Sequence, residues 1–146
     1  MITFTIKQGL KDIPEATYIR EEVFMKEQGF HDEFDAIDDD AYHIVIYIDD
    51  KPVACGRMFV DNEDLDTYII GRIATLKQYR GQHLASTIMQ KLEEKAVRLG
   101  AEKIKLSAQV SAQAFYEKLG YVAIGAIYLD EHCPHMTMIK EFKSKQ

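Results

Sequence analysis

The apolar run Tyr68-Ile69-Ile70-Gly71-Arg72-Ile73-Ala74-Thr75-Leu76 leads into a polar turn, Gln78-Tyr79-Arg80-Gly81-Gln82. Beyond the turn, Leu84, Ile88, Leu92, Ala96 and Leu99 recur at helical spacing. A strand, a tight turn and a helix in that order demand a layered fold with a helix on a sheet. They also form an anion cradle. The first helical turn leaves backbone N–H groups free, and the helix dipole favours negative charge there. Gly81 allows a sharp turn and a close approach by a ligand. Two phosphate motifs are excluded. Gly-Lys-Ser/Thr occurs nowhere, and the three-glycine dinucleotide fingerprint has only Gly81 here.

The rest of the chain continues the alternation of strand and helix. The pattern predicts strands over 2–7, 42–49, 52–60, 67–76, 103–108, 121–129 and 135–142. Helices are predicted over 12–28, 83–99 and 111–119, with a loop over 29–41. Asp12 before Pro14 suits a helix start, Asp49-Asp50-Lys51 a hairpin turn, and Gly100 a helix stop. The result is an α+β fold, a mixed sheet flanked by helices, in a single domain over 1–146. No apolar run is long enough to span a bilayer, and the N-terminus lacks a signal-peptide pattern. Cys55 and Cys133 set no disulfide framework, so a cytoplasmic protein is expected.

Three stretches resemble the GNAT acetyltransferase superfamily. Arg80-Gly81-Gln82-His83-Leu84-Ala85 resembles its pyrophosphate loop, Arg/Gln-x-x-Gly-x-Gly/Ala, with His83 where the family normally has glycine. Ala112 and Phe115-Tyr116-Glu117-Lys118-Leu119-Gly120-Tyr121 resemble the signature Ala-x-x-x-Tyr-x-Lys-x-Gly-Phe/Tyr. The family often has Asn at the position of Gln109. Arg20, Val23, Phe24, Glu27 and Gln28 fit the Arg-x-x-Val-Phe-x-x-Glu-Gln pattern of a small bacterial subgroup, and Pro134-His135 fits its C-terminal Pro-His.

The resemblance implies a sheet of about seven strands, splayed between the fourth and fifth, and acetyl-coenzyme A as acyl donor. It implies that a backbone N–H of the strand around Ile73, Ala74 and Thr75 polarises the acetyl carbonyl. Arg80, Gly81, Gln82, His83, Leu84 and Ala85 would hold the pyrophosphate. Gln109, Ala112, Phe115 and Tyr116 would complete the donor site, with Tyr116 as general acid. His83 is expected to adopt helical angles and offer its N–H.

The general base is less defined, because the fourth strand carries Gly71-Arg72-Ile73 and no carboxylate. Candidates are Glu27, His43, Glu131 and His135, or a water chain; His135 suits proton transfer near neutrality. The plainer reading of His135 is a hydrogen-bonded strand residue. Cys133, between His132 and Pro134, reads as an ordinary thiol, and no ligand set has zinc spacing.

Charge supplies the last inference. The formal net charge is −6. Glu27, Asp32, Glu33, Asp35, Asp38, Asp39 and Asp40 crowd residues 27–40 without a Lys or Arg, whereas residues 72–105 are basic. An acidic loop on the acceptor side would attract a cationic amine, and a solvated loop is the plainer alternative. The acidic chain has no basic-aromatic stripe, so nucleic acid is not an expected partner. The expected activity is direct acetyl transfer to a small primary amine, with a homodimer possible. A catalytically degenerate acyl-coenzyme A sensor or scaffold and a protein-lysine acetyltransferase are the alternatives.

Overall fold

The computed structural model describes residues 1–142. Seven strands form one mixed sheet in the order β1-β2-β3-β4-β5-β7-β6. They are β1 Ile2–Gln8, β2 Tyr42–Ile48, β3 Lys51–Asp61, β4 Asp64–Thr75, β5 Lys103–Gln109, β6 Val122–Asp130 and β7 Cys133–Glu141. The α-helices are α1 Pro14–Arg20, α2 Leu84–Arg98 and α3 Gln113–Lys118. No helix among the described residues is long and apolar enough to cross a membrane. The chain divides into two compact units, Met1–Phe59 with Gly71–Leu92, and Val60–Ile70 with the chain from Glu93 onward.

In the first unit, β1, β2 and β3 form an antiparallel meander. Asp49 and Asp50 both take positive φ, 50° and 68°, as a two-residue primed hairpin turn requires. Val53 to Met58 of β3 are buried throughout, which explains their lack of polar alternation. Gly56 is there for space. A Cβ on it would lie 2.7 Å from Ile73 Cδ1 and 2.8 Å from Ile88 Cγ2. Leu84, Ile88, Met89 and Leu92 form the buried stripe of α2.

The N-terminal helix differs from expectation. Residues 12–28 are a 3₁₀ turn Leu10–Asp12, then α1, then a π-helical turn Glu21–Glu27. Asp12 is not the cap; Ile13 is, without a side-chain bond, while Pro14 sits in the first turn as predicted. The π turn widens the ladder, so that the Gln28 N–H reaches the Val23 carbonyl at 3.0 Å. Val23 and Phe24 are both buried there. The predicted loop contains a 3₁₀ turn, Ala36–Asp39, closed by a reciprocal capping box between Asp35 and Asp38.

In the second unit, β4 pairs with β5 in parallel over only four positions, from Thr67–Lys103 to Ile70–Leu106. Both strands continue past that point, to Thr75 and Gln109. β5, β7 and β6 are antiparallel neighbours, and β6 is the sheet edge. Gly100 ends α2 at φ 94°, with Ala101 N–H on the Ala96 carbonyl and Gly100 N–H on that of Val97. Leu99 lies past the helix and is exposed, so it does not extend the buried stripe.

Candidate active site

The anion cradle lies wholly within the first unit. β4 ends at Thr75, a 3₁₀ turn follows over Lys77–Tyr79, and α2 begins at Leu84. The N–H groups of Leu84, Ala85 and Ser86 therefore have no acceptor inside the helix. Ser86 was not among the predicted donors, because the helix starts one residue later than its periodicity suggests.

His83 corrects an expectation. Its φ is 61°, in the left-handed region, not helical. Its carbonyl accepts the Thr87 N–H at 3.2 Å, so it flanks the helix from outside. Glycine suits this backbone best, although histidine is among the side chains that tolerate it. Gly81 has φ 84°, and a Cβ there would meet nothing within 4 Å. Conformation, and not crowding, makes that position a glycine.

Arg80 flanks the same turn. Its Nη1 and Nη2 each donate to a different carboxylate oxygen of Glu27 at 2.6 Å, and its Nε donates to the Thr75 carbonyl at 3.0 Å. The hydrogen bond from Arg80 holds the Glu27 carboxyl below its usual pKa. Glu27 is thus a poor proton acceptor in this arrangement.

The acidic loop is the largest departure. Glu33 and Asp38 are buried, and they meet three arginines. Arg20, itself buried, donates through Nε to Glu33 Oε2 at 2.9 Å and through Nη1 to Asp38 Oδ1 at 2.7 Å. Arg57 Nη1 reaches Asp35 Oδ1 at 2.7 Å and Asp38 Oδ1 at 2.9 Å. Arg72 Nε lies 2.9 Å from Glu33 Oε2. Burial disfavours the Asp38 carboxylate, but the hydrogen bonds from Arg20, Asp35 N–H and Arg57 prevail and bring its pKa down to about 2. With Glu27, four of the seven carboxylates expected to draw in a cation already have arginine partners. Asp32, Asp39 and Asp40 stay exposed.

His43, a candidate base, is fully buried beside this cluster. Its Nε2 donates to the Asp38 carbonyl at 3.0 Å. Burial lowers its pKa. No solvent-facing acceptor can reach it directly.

Sequence reasoning missed this network, yet a signal was present. Arg20 is four residues from both Ala16 and Phe24 on the buried face of its helix, and Arg57 stands inside an otherwise apolar strand. A charged residue in such a place needs a buried partner. Arg72 has φ 54° in mid-strand, a conformation held by the ties of its guanidinium to Glu33.

The second unit holds the other candidates. Gln109 ends β5, and Ala112, Phe115 and Tyr116 follow within two short helical turns. Gly120 at φ 98° closes α3, with Tyr121 N–H on the Tyr116 carbonyl at 3.1 Å. The Tyr116 and Tyr121 rings meet edge to face at 6.1 Å. This closure explains the Leu-Gly-Tyr that follows Tyr116. Tyr116 is 9% exposed, and burial alone pushes its phenol up to about 12. It therefore keeps its proton across the physiological range.

His135 is buried on β7, opposite Gln109 of β5 and Tyr128 of β6. Its Nδ1 donates to the Cys133 carbonyl at 2.9 Å, and its ring stacks on Tyr128, whose hydroxyl meets Ser107 Oγ. Glu131 lies in the exposed β6–β7 turn at φ 53°. The Cys133 thiol is pushed up by burial and by Asp130, which leaves it unactivated. Among the described residues no group of His, Cys, Asp and Glu has metal-site geometry.

The acetyltransferase (GNAT) family model matches residues 7–121. The chain belongs to the GNAT family. It is 36% identical over 140 residues to the uncharacterized N-acetyltransferase YjcF of Bacillus subtilis, covering 93% of this chain and 97% of that one. Among solved structures, an acyl-CoA N-acyltransferase from Pseudomonas aeruginosa superposes with TM-score 0.84 at 28% identity, over 96% of this chain and 99% of the other. Escherichia coli ElaA gives TM-score 0.86 at 26% identity, over 97% and 100%. This GNAT chain is accordingly an acyltransferase, and its seven-stranded mixed sheet with one parallel β4–β5 pairing is the fold of those neighbours.

Proposed function

We propose that this GNAT protein transfers the acetyl group of acetyl-coenzyme A directly to a primary amine of a small acceptor. The observation that carries the reading is the turn from Arg80 to Ser86. Two left-handed residues, Gly81 and His83, deliver the chain to a 15-residue helix whose first N–H groups have no intrahelical acceptor. Leu84, Ala85 and Ser86 would hold the pyrophosphate through these N–H groups, with Gly81, Gln82 and His83 shaping the approach. When bound, the thioester supplies an acyl group activated for attack by an amine.

The remaining residues divide the work. A backbone N–H of the strand around Ile73, Ala74 and Thr75 would polarise the acetyl carbonyl. Support comes from the β4–β5 ladder, which ends at Ile70–Leu106, before them. Tyr116 would keep a proton at its hydroxyl for the departing thiolate. Its burial supports that role, because the phenol stays protonated. Gln109, Ala112 and Phe115 would line the donor site beside it. The proton of the amine would leave through His135 or through water, since His43 is buried and Glu27 is paired with Arg80 in the free protein. Arginine pairing of Glu27, Glu33, Asp35 and Asp38 weakens the argument for a cationic acceptor, so a simple alkylamine, deprotonated before attack, suffices.

Calorimetric titration with acetyl-coenzyme A, followed by thiol release across a panel of amines, tests the reading. Saturable binding with amine-dependent release is expected. Binding without release for any amine or lysine peptide would leave an acyl-coenzyme A sensor instead. No binding would overturn the donor assignment.

A further inference from the structure

Arg80 flanks the anion turn, but its guanidinium is already committed. Both terminal nitrogens bind the two oxygens of Glu27 at 2.6 Å, and Nε binds the Thr75 carbonyl at 3.0 Å. A guanidinium has five N–H donors, so three are in use. Glu27 closes the π-helical turn and helps to line a cleft of about 300 Å³ with Glu22, Lys26, Lys77 and Gln78. Lys77, exposed and also lining this cleft, adds to the positive field felt by Glu27.

A carboxylate engages the fork of an arginine in the same bidentate manner as a phosphate. It carries a single charge, whereas a pyrophosphate carries more. The pair is also open to water, with Arg80 41% and Glu27 37% exposed. Exposed pairs of this kind hold weakly. A more highly charged anion bound beside them, on the N–H groups of Leu84 to Ser86, would take the guanidinium.

We propose that Glu27 is a built-in competitor for the donor's phosphates: its carboxylate occupies Arg80 in the free protein and is displaced when the pyrophosphate of coenzyme A binds. The proposal rests on the donor reading above. Displacement leaves the Glu27 carboxylate unpaired in the cleft only after the donor has bound, and so makes the negative charge of that cleft depend on donor occupancy.

Calorimetric titration with coenzyme A tests this on the intact protein, on Glu27→Gln, Glu27→Ala and Arg80→Met, and on the Glu27→Gln/Arg80→Met double variant. Removing the competitor is expected to tighten binding roughly two- to fivefold in Glu27→Gln and Glu27→Ala. The gain should shrink as salt rises. Arg80→Met should bind more weakly than the intact protein. Adding Glu27→Gln to Arg80→Met should change nothing further. Equal or weaker binding by both Glu27 variants overturns the proposal while leaving the donor reading intact. So does a gain that persists without Arg80, because the effect would then be general charge. Absence of binding by every form, the intact protein included, overturns both.

Discussion

His43 on β2 lies directly opposite Arg57 on β3, and each keeps one buried nitrogen, His43 Nδ1 and Arg57 Nε, without a hydrogen-bond partner among the described residues. The two are cross-strand neighbours on one face of the sheet. Nε2 of His43 is the donor to Asp38, so Nδ1 carries the lone pair. A proton there would add a cation beside Arg20 and Arg57, and burial already lowers the histidine's pKa from 6.5.

The sign of the pH dependence follows. With a folded pKa below the unfolded one, both states are neutral at high pH and His43 costs nothing. As pH falls through about 6.5 the unfolded chain takes the proton first, and stability declines. The melting temperature should therefore fall between pH 7.5 and pH 5.5, and His43→Gln should flatten that slope. A slope unchanged in the variant would assign it to other groups. Asp38, brought down to about 2, acts in the same direction only at lower pH.

Arg20→Met should be strongly destabilising, because it leaves Glu33 and Asp38 buried with fewer counter-charges. A loss of about 3–5 kcal/mol is expected from urea unfolding. Adding Asp38→Asn should recover part of the loss, as coupled partners do. A loss within about 0.5 kcal/mol, the range of ordinary surface substitutions, would show that the cluster is dispensable.

His83 tests the left-handed turn. Glycine at φ 61° relieves strain, so His83→Gly should hold or raise stability by up to about 1 kcal/mol. His83→Val should lose about 1–2 kcal/mol, since branching at Cβ worsens the same conformation. Thermal unfolding of the pair decides it; equal melting temperatures would contradict the left-handed backbone.

Tyr116→Phe removes a buried hydroxyl and keeps the edge-to-face contacts with Phe115 and Tyr121. If Tyr116 protonates the leaving thiolate, kcat should drop about a hundredfold while donor affinity stays within a factor of two or so. Weaker donor binding at unchanged kcat would make Tyr116 a wall of the site and not its acid.

Local periodicity and turn chemistry determined the elements of this chain. Alternation or an unbroken apolar run marked the strands, Gly100 and Gly120 marked the helix stops, and Asp49-Asp50 marked a hairpin turn, because each depends on a few neighbouring residues. The turn from Arg80 into α2 and the close of α3 after Tyr116 were legible for the same reason, since their geometry is set within single short segments. Only the tertiary structure decided the fate of the charges. Arg20, Glu33, Asp38, Arg57 and Arg72 come from a helix, a loop and two strands, and no local pattern encodes which acid meets which arginine. Burial strongly favours those pairings, because an unpaired charge there costs a large share of the chain's net stability. Glu33 and Asp38, in a loop that reads as solvated or substrate-facing, are thereby turned inward while Asp32, Asp39 and Asp40 stay exposed, and Glu27 pairs with Arg80 in the free protein.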